Sequence, residues 1–362
     1  EMLLIPESGQ TYPFEAPVYA SIEREQGFGS DSLRKARQIP LLYALEYSGE
    51  KRGITAGLYL NNSGNCNGSI FGYAGIDQKA LNEVSQYASS TLISVIRKMN
   101  RGLFLANAGT EFFSYSEKEP VKIGAYVANL TNTNAKVKLV FSISKDGKTI
   151  NKSTTESDVA AITSTKPALI SGGTVKLKAG EYTVQTDLYA NDDFIDQISY
   201  SFNVVNSKKL SVKDVVTAKG PDFYLNGQKW YGLGINYWPR YSVGQEPSDY
   251  WLHWLSPEQY DPEAVEADLK LAQKLGINLL SVQYSKEEQA RPFMDFLARA
   301  EKYGIKVNAY IPGLHPLWQD FPMADKLIKA AHLTDSPAFF AYDMGWEVHV
   351  GPYDARKAFD KE

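Results

Sequence analysis

The stretch Asp268-Leu-Lys-Leu-Ala-Gln-Lys-Leu-Gly-Ile-Asn-Leu-Leu280 decides the fold. Its first half completes a helix over Asp261–Leu275, with Asp261 as cap, Pro262 at the first position and Gly276 just past the end. Its second half turns into an apolar strand, Ile277–Gln283. The same rhythm continues downstream. Lys286–Tyr303 reads as a helix closed by Gly304, Ile305–Pro312 as a strand, Ala324–Leu333 as a helix and Phe339–Val348 as a strand. Trp230–Trp238 precedes them all as a further strand. Strands alternating with helices imply right-handed βα units around a parallel sheet. Residues 208–362 are thus expected to hold four such strands and three connecting helices.

Upstream the rhythm changes. Val121-Lys-Ile-Gly-Ala-Tyr-Val127, Lys136-Val-Lys-Leu-Val-Phe141 and Gly180-Glu-Tyr-Thr-Val-Gln-Thr-Asp187 alternate apolar and polar residues, with turns at Asp146-Gly147 and Asn191-Asp192. Period-two strands without helices indicate an antiparallel, immunoglobulin-like β-sandwich over residues 103–207. Residues 1–102 give short apolar runs, Val18–Ile22, Ile39–Leu45, Ile54–Leu60 and Ile70–Ala74, then a helix over Gln78–Met99. This first region reads as an α/β piece cut from a larger domain.

Composition bounds the function. The 362 residues carry a net charge of −4, which argues against a nucleic-acid partner. No apolar run approaches the roughly 20 residues of a membrane span. Cys66 is the only cysteine, so neither an internal disulfide nor a thiolate metal site can form. His253, His315, His332 and His349 fit no metal-binding spacing, and neither metal nor cofactor is expected. Asn61, Asn67, Asn129 and Asn151 each start an N-x-S/T sequon, a weak hint of a secreted or periplasmic protein. The chain opens on Glu1, which reads as a processed or excised product. It has 23 Tyr, 16 Phe and 6 Trp, and several of these cluster late in the chain beside carboxylates and histidines, a combination suited to sugar rings.

The residues Phe223-Tyr-Leu-Asn-Gly-Gln-Lys-Trp-Tyr-Gly-Leu-Gly-Ile-Asn-Tyr-Trp238, the stretch Asp268–Leu280, the run Asp295–Asn308 and the strand Phe340-Ala-Tyr-Asp-Met-Gly-Trp-Glu347 follow one another in a telling order. Together they resemble the first half of the (β/α)8 barrel of retaining glycoside hydrolases, the cellulase-like and β-galactosidase-like superfamily. The resemblance implies a multidomain fragment whose last region is the N-terminal half of a TIM barrel. It implies that Glu347, at the end of strand 4, is the general acid/base. The nucleophilic glutamate would belong to strand 7, beyond this sequence. Trp346 stands where the superfamily usually has Asn, and Ser281-Val-Gln-Tyr284 lacks its usual Arg. Residues 1–102 faintly resemble the end of an amidotransferase-like domain, without its Cys-His-Glu triad.

Barrel sites lie at the C-terminal ends of strands. The expected substrate-binding residues are therefore Asn236, Tyr237 and Trp238 after strand 1, Tyr310 and His315 at strand 3, and Asp343, Trp346 and His349 at strand 4. Gln283 and Tyr284 end strand 2. An apolar neighbour such as Trp346 would raise the pKa of Glu347, as a general acid needs. Two other roles remain open: a non-catalytic carbohydrate-binding protein, and a scaffold whose barrel is completed by its own missing half, another chain or a homo-oligomer.

Overall fold

The computed structural model describes residues 2–5, 9–13, 36–49, 51–61, 64–75, 85–206, 210–239, 254–257, 259–315 and 319–345. The first sheet joins β1 (Met2–Ile5), β2 (Gln10–Pro13), β3 (Ala36–Leu45), β4 (Lys51–Asn61) and β5 (Ile70–Ala74) in the order β2-β1-β3-β4-β5. Every pairing in it is antiparallel. Helix α1 (Ser85–Arg101) lies over this sheet, and a Cβ on Gly72 would stand 2.8 Å from Val95 and 2.9 Å from Met99. The expected α/β piece is thus an antiparallel layer under one helix. The short turn at Glu46–Gly49 returns β3 directly into β4, which pairs with it antiparallel. Val18–Ile22 lies outside the described residues.

Two antiparallel sheets follow, and their inner faces share one core. One contains β8 (Pro120–Asn129) between β6 (Leu103–Thr110) and β11 (Ala168–Lys176). The other runs β10-β9-β12-β13-β7, from β7 (Ser114–Ser116), β9 (Ala135–Lys145), β10 (Lys148–Val159), β12 (Gly180–Ala190) and β13 (Asp193–Val205). Only its β7–β13 pair is parallel. Leu105, Ile123 and Val127 meet Leu139, Phe141, Val184 and Phe202. β6 is buried along its whole length because its outer face is covered too: Phe104 and Ala106 pack with Ile39, Leu58 and Val95 of the first sheet and helix. A buried ion pair joins the same layers, with Arg37 of β3 donating to both carboxylate oxygens of Asp196 on β13.

The sequon at Asn129 is spent on structure. Its buried amide donates to Thr133 O at 2.9 Å and Ala160 O at 3.1 Å, and its Oδ1 accepts from Thr131 N at 2.9 Å.

The last part opens with a three-stranded sheet, β14 (Val216–Lys219), β15 (Asp222–Leu225) and β16 (Gln228–Trp230). Asn226 and Gly227, at φ 51° and 76°, make the two-residue turn that the sequence pattern demands. The parallel sheet then alternates with helices: β17 (Gly234–Asn236), α2 (Pro262–Lys274), β18 (Leu279–Gln283), α3 (Ala290–Lys302), β19 (Lys306–Tyr310), α4 (Phe321–Ala330) and β20 (Phe339–Asp343). Its order is β17-β18-β19-β20, all parallel. Asp261 caps α2 by accepting from Glu263 N and Ala264 N, and Gly276 and Gly304 take the left-handed conformation past α2 and α3. The helices cover one face only. Leu280, Val282, Val307 and Ala309 of the sheet are buried in one core with Val265 and Leu269 of α2, Phe293 and Phe296 of α3 and Leu327 of α4.

The expected strand Trp230–Trp238 is broken at Tyr231–Leu233. There the Asn278 side chain takes the place of a strand partner: it accepts from Leu233 N at 2.7 Å and donates to Tyr231 O at 2.8 Å. The expected helix Lys286–Tyr303 begins instead with a short 3₁₀ turn, Glu287–Gln289, and the third expected helix starts earlier, with Asp320 as cap.

Helix α3 also binds the sheet layer before it. Asp295, wholly buried, accepts from Asn203 at 2.9 Å, Tyr260 at 2.7 Å and Arg299 at 2.7 Å. Arg299 donates onward to Ser201 and to Glu266. Arg291 clasps Glu119 with two hydrogen bonds of 2.6 Å. No helix among the described residues is long and apolar enough to cross a membrane.

Candidate functional site

Neighbouring residues in a parallel sheet point to the same side, and successive residues to opposite sides. The helix-facing set is fixed by its shared core with the helices: Leu280, Val282 and Tyr284 on β18 and just after it, and Val307, Ala309 and Ile311 on β19 and just after it. The alternate residues therefore line the opposite, concave face. Register aligns them in two rows. Asn236, Ser281, Asn308 and Ala341 form the lower row. Gln283, Tyr310 and Asp343 form the upper row, at the C-terminal ends of their strands. Within the lower row, Asn308 Nδ2 donates to Ser281 Oγ at 3.2 Å.

Phe340 sits 5.4 Å from Phe223 and 5.2 Å from Trp230 between ring centroids, so the three-stranded sheet closes the N-terminal end. Lys306 is buried at that same end and donates to Asp214 O at 3.1 Å and Pro337 O at 2.6 Å. Burial pushes its pKa down, against the nearby charges of Glu301 and Asp214. At the other end, burial and then the Asp343 carboxylate push the Tyr310 phenol up, so it stays neutral and able to donate. Asp343 Oδ1 accepts from Gly345 N at 3.2 Å. The result is a face of amides, hydroxyls and one carboxylate, with the amide of Gln283 buried.

The structure brings together Asn236, Tyr310 and Asp343 from the sequence expectations. Tyr237 goes elsewhere. Its ring is buried on the helix side, stacked on Phe296 at 5.7 Å, and its hydroxyl lies 3.0 Å from Asp268 Oδ2. It follows Asn236 by one position, and strand alternation turns it outward. Trp254 packs edge-on to the same two rings. Tyr284 likewise points outward, donating to Leu327 O at 3.0 Å. Trp238 is half-buried after β17, and His315 is buried after the Pro312–Leu314 turn. Glu347, Trp346 and His349 lie outside the described residues, as do Trp318 and His253.

Ser281 and Asn308 are the residues that sequence reading missed. Both sit mid-strand, where a polar residue carries no motif. Period-two alternation against the apolar Leu280 and Val307 was the available signal.

No family model and no curated protein matches the chain. Solved structures that resemble it include a glycosyl hydrolase family 2 member from Bacteroides cellulosilyticus, at 15% identity and a TM-score of 0.30 over 67% of this chain and 32% of that one. A β-D-mannosidase from Dictyoglomus thermophilum gives 14% and 0.30 over 67% and 29%. An exo-chitosanase from Amycolatopsis orientalis gives 16% and 0.31 over 72% and 31%. The chain thus spans about a third of the length of these structures. Similarity this slight assigns no chemistry to it.

Proposed function

We propose that residues 208–362 act on carbohydrate as the first half of a glycoside hydrolase barrel, with a secreted or periplasmic setting. The observation that carries this reading is the concave polar face, with Gln283, Tyr310 and Asp343 aligned in register at the C-terminal ends of β18, β19 and β20. Planar amides, hydroxyls and a phenol are the groups that bind sugar hydroxyls, and barrel enzymes work at this end. In this reading the Glu347 carboxyl gives its proton to the glycosidic oxygen as the C–O bond breaks. A second carboxylate, supplied from outside residues 1–362, forms the bond to the anomeric carbon. Glu347, now ionised, then takes a proton from water, which attacks that carbon and releases the second carboxylate. Such carboxyl pairs stand about 5–5.5 Å apart. Asn236, Tyr310 and Asp343 hold the sugar in place; Trp238, His315, Trp346 and His349 complete the rim.

The test uses the natural polypeptide that contains these residues. Glu347→Gln is expected to lose about 10²–10⁴-fold in turnover on glycosides with poor leaving groups and far less on activated ones. Equal loss on both, or none, would remove Glu347 from the proton transfer.

A second reading has one observation in its favour. The inward residues of β18, Ser281 and Gln283, are uncharged, so this strand offers no cation to support a nucleophile. A carbohydrate-binding protein without turnover, its barrel completed by another chain or a second copy, would need none. Saccharide binding with no hydrolysis by the natural polypeptide would favour it.

A further inference from the structure

The charges on the concave face are one-sided. Among its six polar residues near the C-terminal ends, Asn236, Ser281, Gln283, Asn308, Tyr310 and Asp343, the single charge is a carboxylate. Among the described residues the one lysine or arginine on this face, Lys306, opens β19 at the opposite end. Four residues along a strand separate it from Tyr310, about 13 Å. Its ammonium is buried and committed to two backbone carbonyls. It cannot reach a ligand seated at the strand ends. Tyr310 stays neutral and adds no charge of either sign.

A ligand docking here therefore meets Asp343 with no fixed cation beside it among the described residues. A sugar carboxylate would bring like charge against like, which disfavours both ions. A sugar ammonium would gain a charge-assisted hydrogen bond. A neutral ring would gain only ordinary ones. We propose that this face selects amino sugars over neutral sugars and rejects uronic acids, with Asp343 as the specificity-determining residue. The inference rests on the reading of this face as a saccharide site, and names the class of sugar.

The test is a titration of the full 362-residue chain with the methyl glycosides of D-glucosamine, D-glucose and D-glucuronate. It is run near pH 6, where the amine is protonated and the acid ionised. Glucosamine is expected to bind about fivefold tighter than glucose, with glucuronate weakest, the size of one partly solvated ion pair. Added salt narrows the gap. Asp343→Asn brings glucosamine to the level of glucose in the same variant, whereas Asp343→Glu, which keeps the charge, retains the ranking. Equal binding of all three sugars, or an unchanged ranking in a folded Asp343→Asn, overturns the selectivity and leaves the saccharide site standing. Binding of none of the three overturns both.

Discussion

Asp295 is out of solvent, yet three donors from three segments converge on it: Asn203 of β13, Tyr260 before α2 and Arg299 of α3. Truncating one member of such a buried group strands the others. Asp295→Ala is expected to cost about 3–5 kcal/mol in urea unfolding, because Arg299 would remain buried without its main counter-charge. Replacing both by apolar residues of similar size should recover much of that loss; a single variant as stable as the wild type would show that the network is idle. The carboxylates that tie the layers also set an acid limit. Burial alone would raise the pKa values of Asp196, Glu119 and Glu266. Arg37, Arg291 and the trio Lys302, Tyr303 and Arg299 overcome it and hold all three below the ordinary range. A folded-state pKa below the unfolded one means that the unfolded chain takes up protons first. Their contribution is complete above the ordinary carboxylate range, near pH 4–5, and is lost as pH falls through the depressed values. Thermal melts from pH 7 to pH 3 should show a falling midpoint below about pH 5. A midpoint flat across that window would mean that these groups titrate alike folded and unfolded.

At the scale of elements, the quoted stretch explains itself. Leu269 and Ala272 bury α2, Gly276 ends it, and Asn278 grips the incoming backbone at Tyr231 and Leu233. Asn278→Ala is expected to cost about 1–2 kcal/mol, two hydrogen bonds partly replaced by water. A loss below the error of the melt would mean that strand β17 is held by its pairing alone. The parallel βα rhythm was legible because caps, apolar spacing and glycine stops agree there. The pairing of the first sheet was not legible, because β3 and β4 are buried almost throughout and a continuous apolar run does not distinguish parallel from antiparallel pairing. Period-two alternation was clear in β9 and β12 but absent from β6, which is covered on both faces. Of the site, Asn236, Tyr310 and Asp343 were legible from strand ends. Tyr237 was not, because a one-residue step decides which face a side chain takes.

For the whole molecule, the parallel sheet pairs on one side only at β17 and at β20 among the described residues. Exposed apolar side chains stand beside both edges: Leu233 and Ile235 with Leu271 and Leu275 at one, Tyr342 and Met344 at the other. Unpaired strand edges flanked by apolar groups favour association. The isolated chain should sediment as an oligomer at micromolar concentration, and Ile235→Lys with Leu271→Lys should return it toward monomer. A monodisperse wild-type monomer would count against open edges. The central claim is that the concave polar face of the parallel sheet receives carbohydrate. A crystal structure of the chain with a bound oligosaccharide tests it most directly. The account predicts a sugar ring within hydrogen-bond distance of at least two of Asn236, Asn308, Tyr310 and Asp343. A ring seated on the two-sheet region or the helix-covered side, with that face left to solvent, would contradict it.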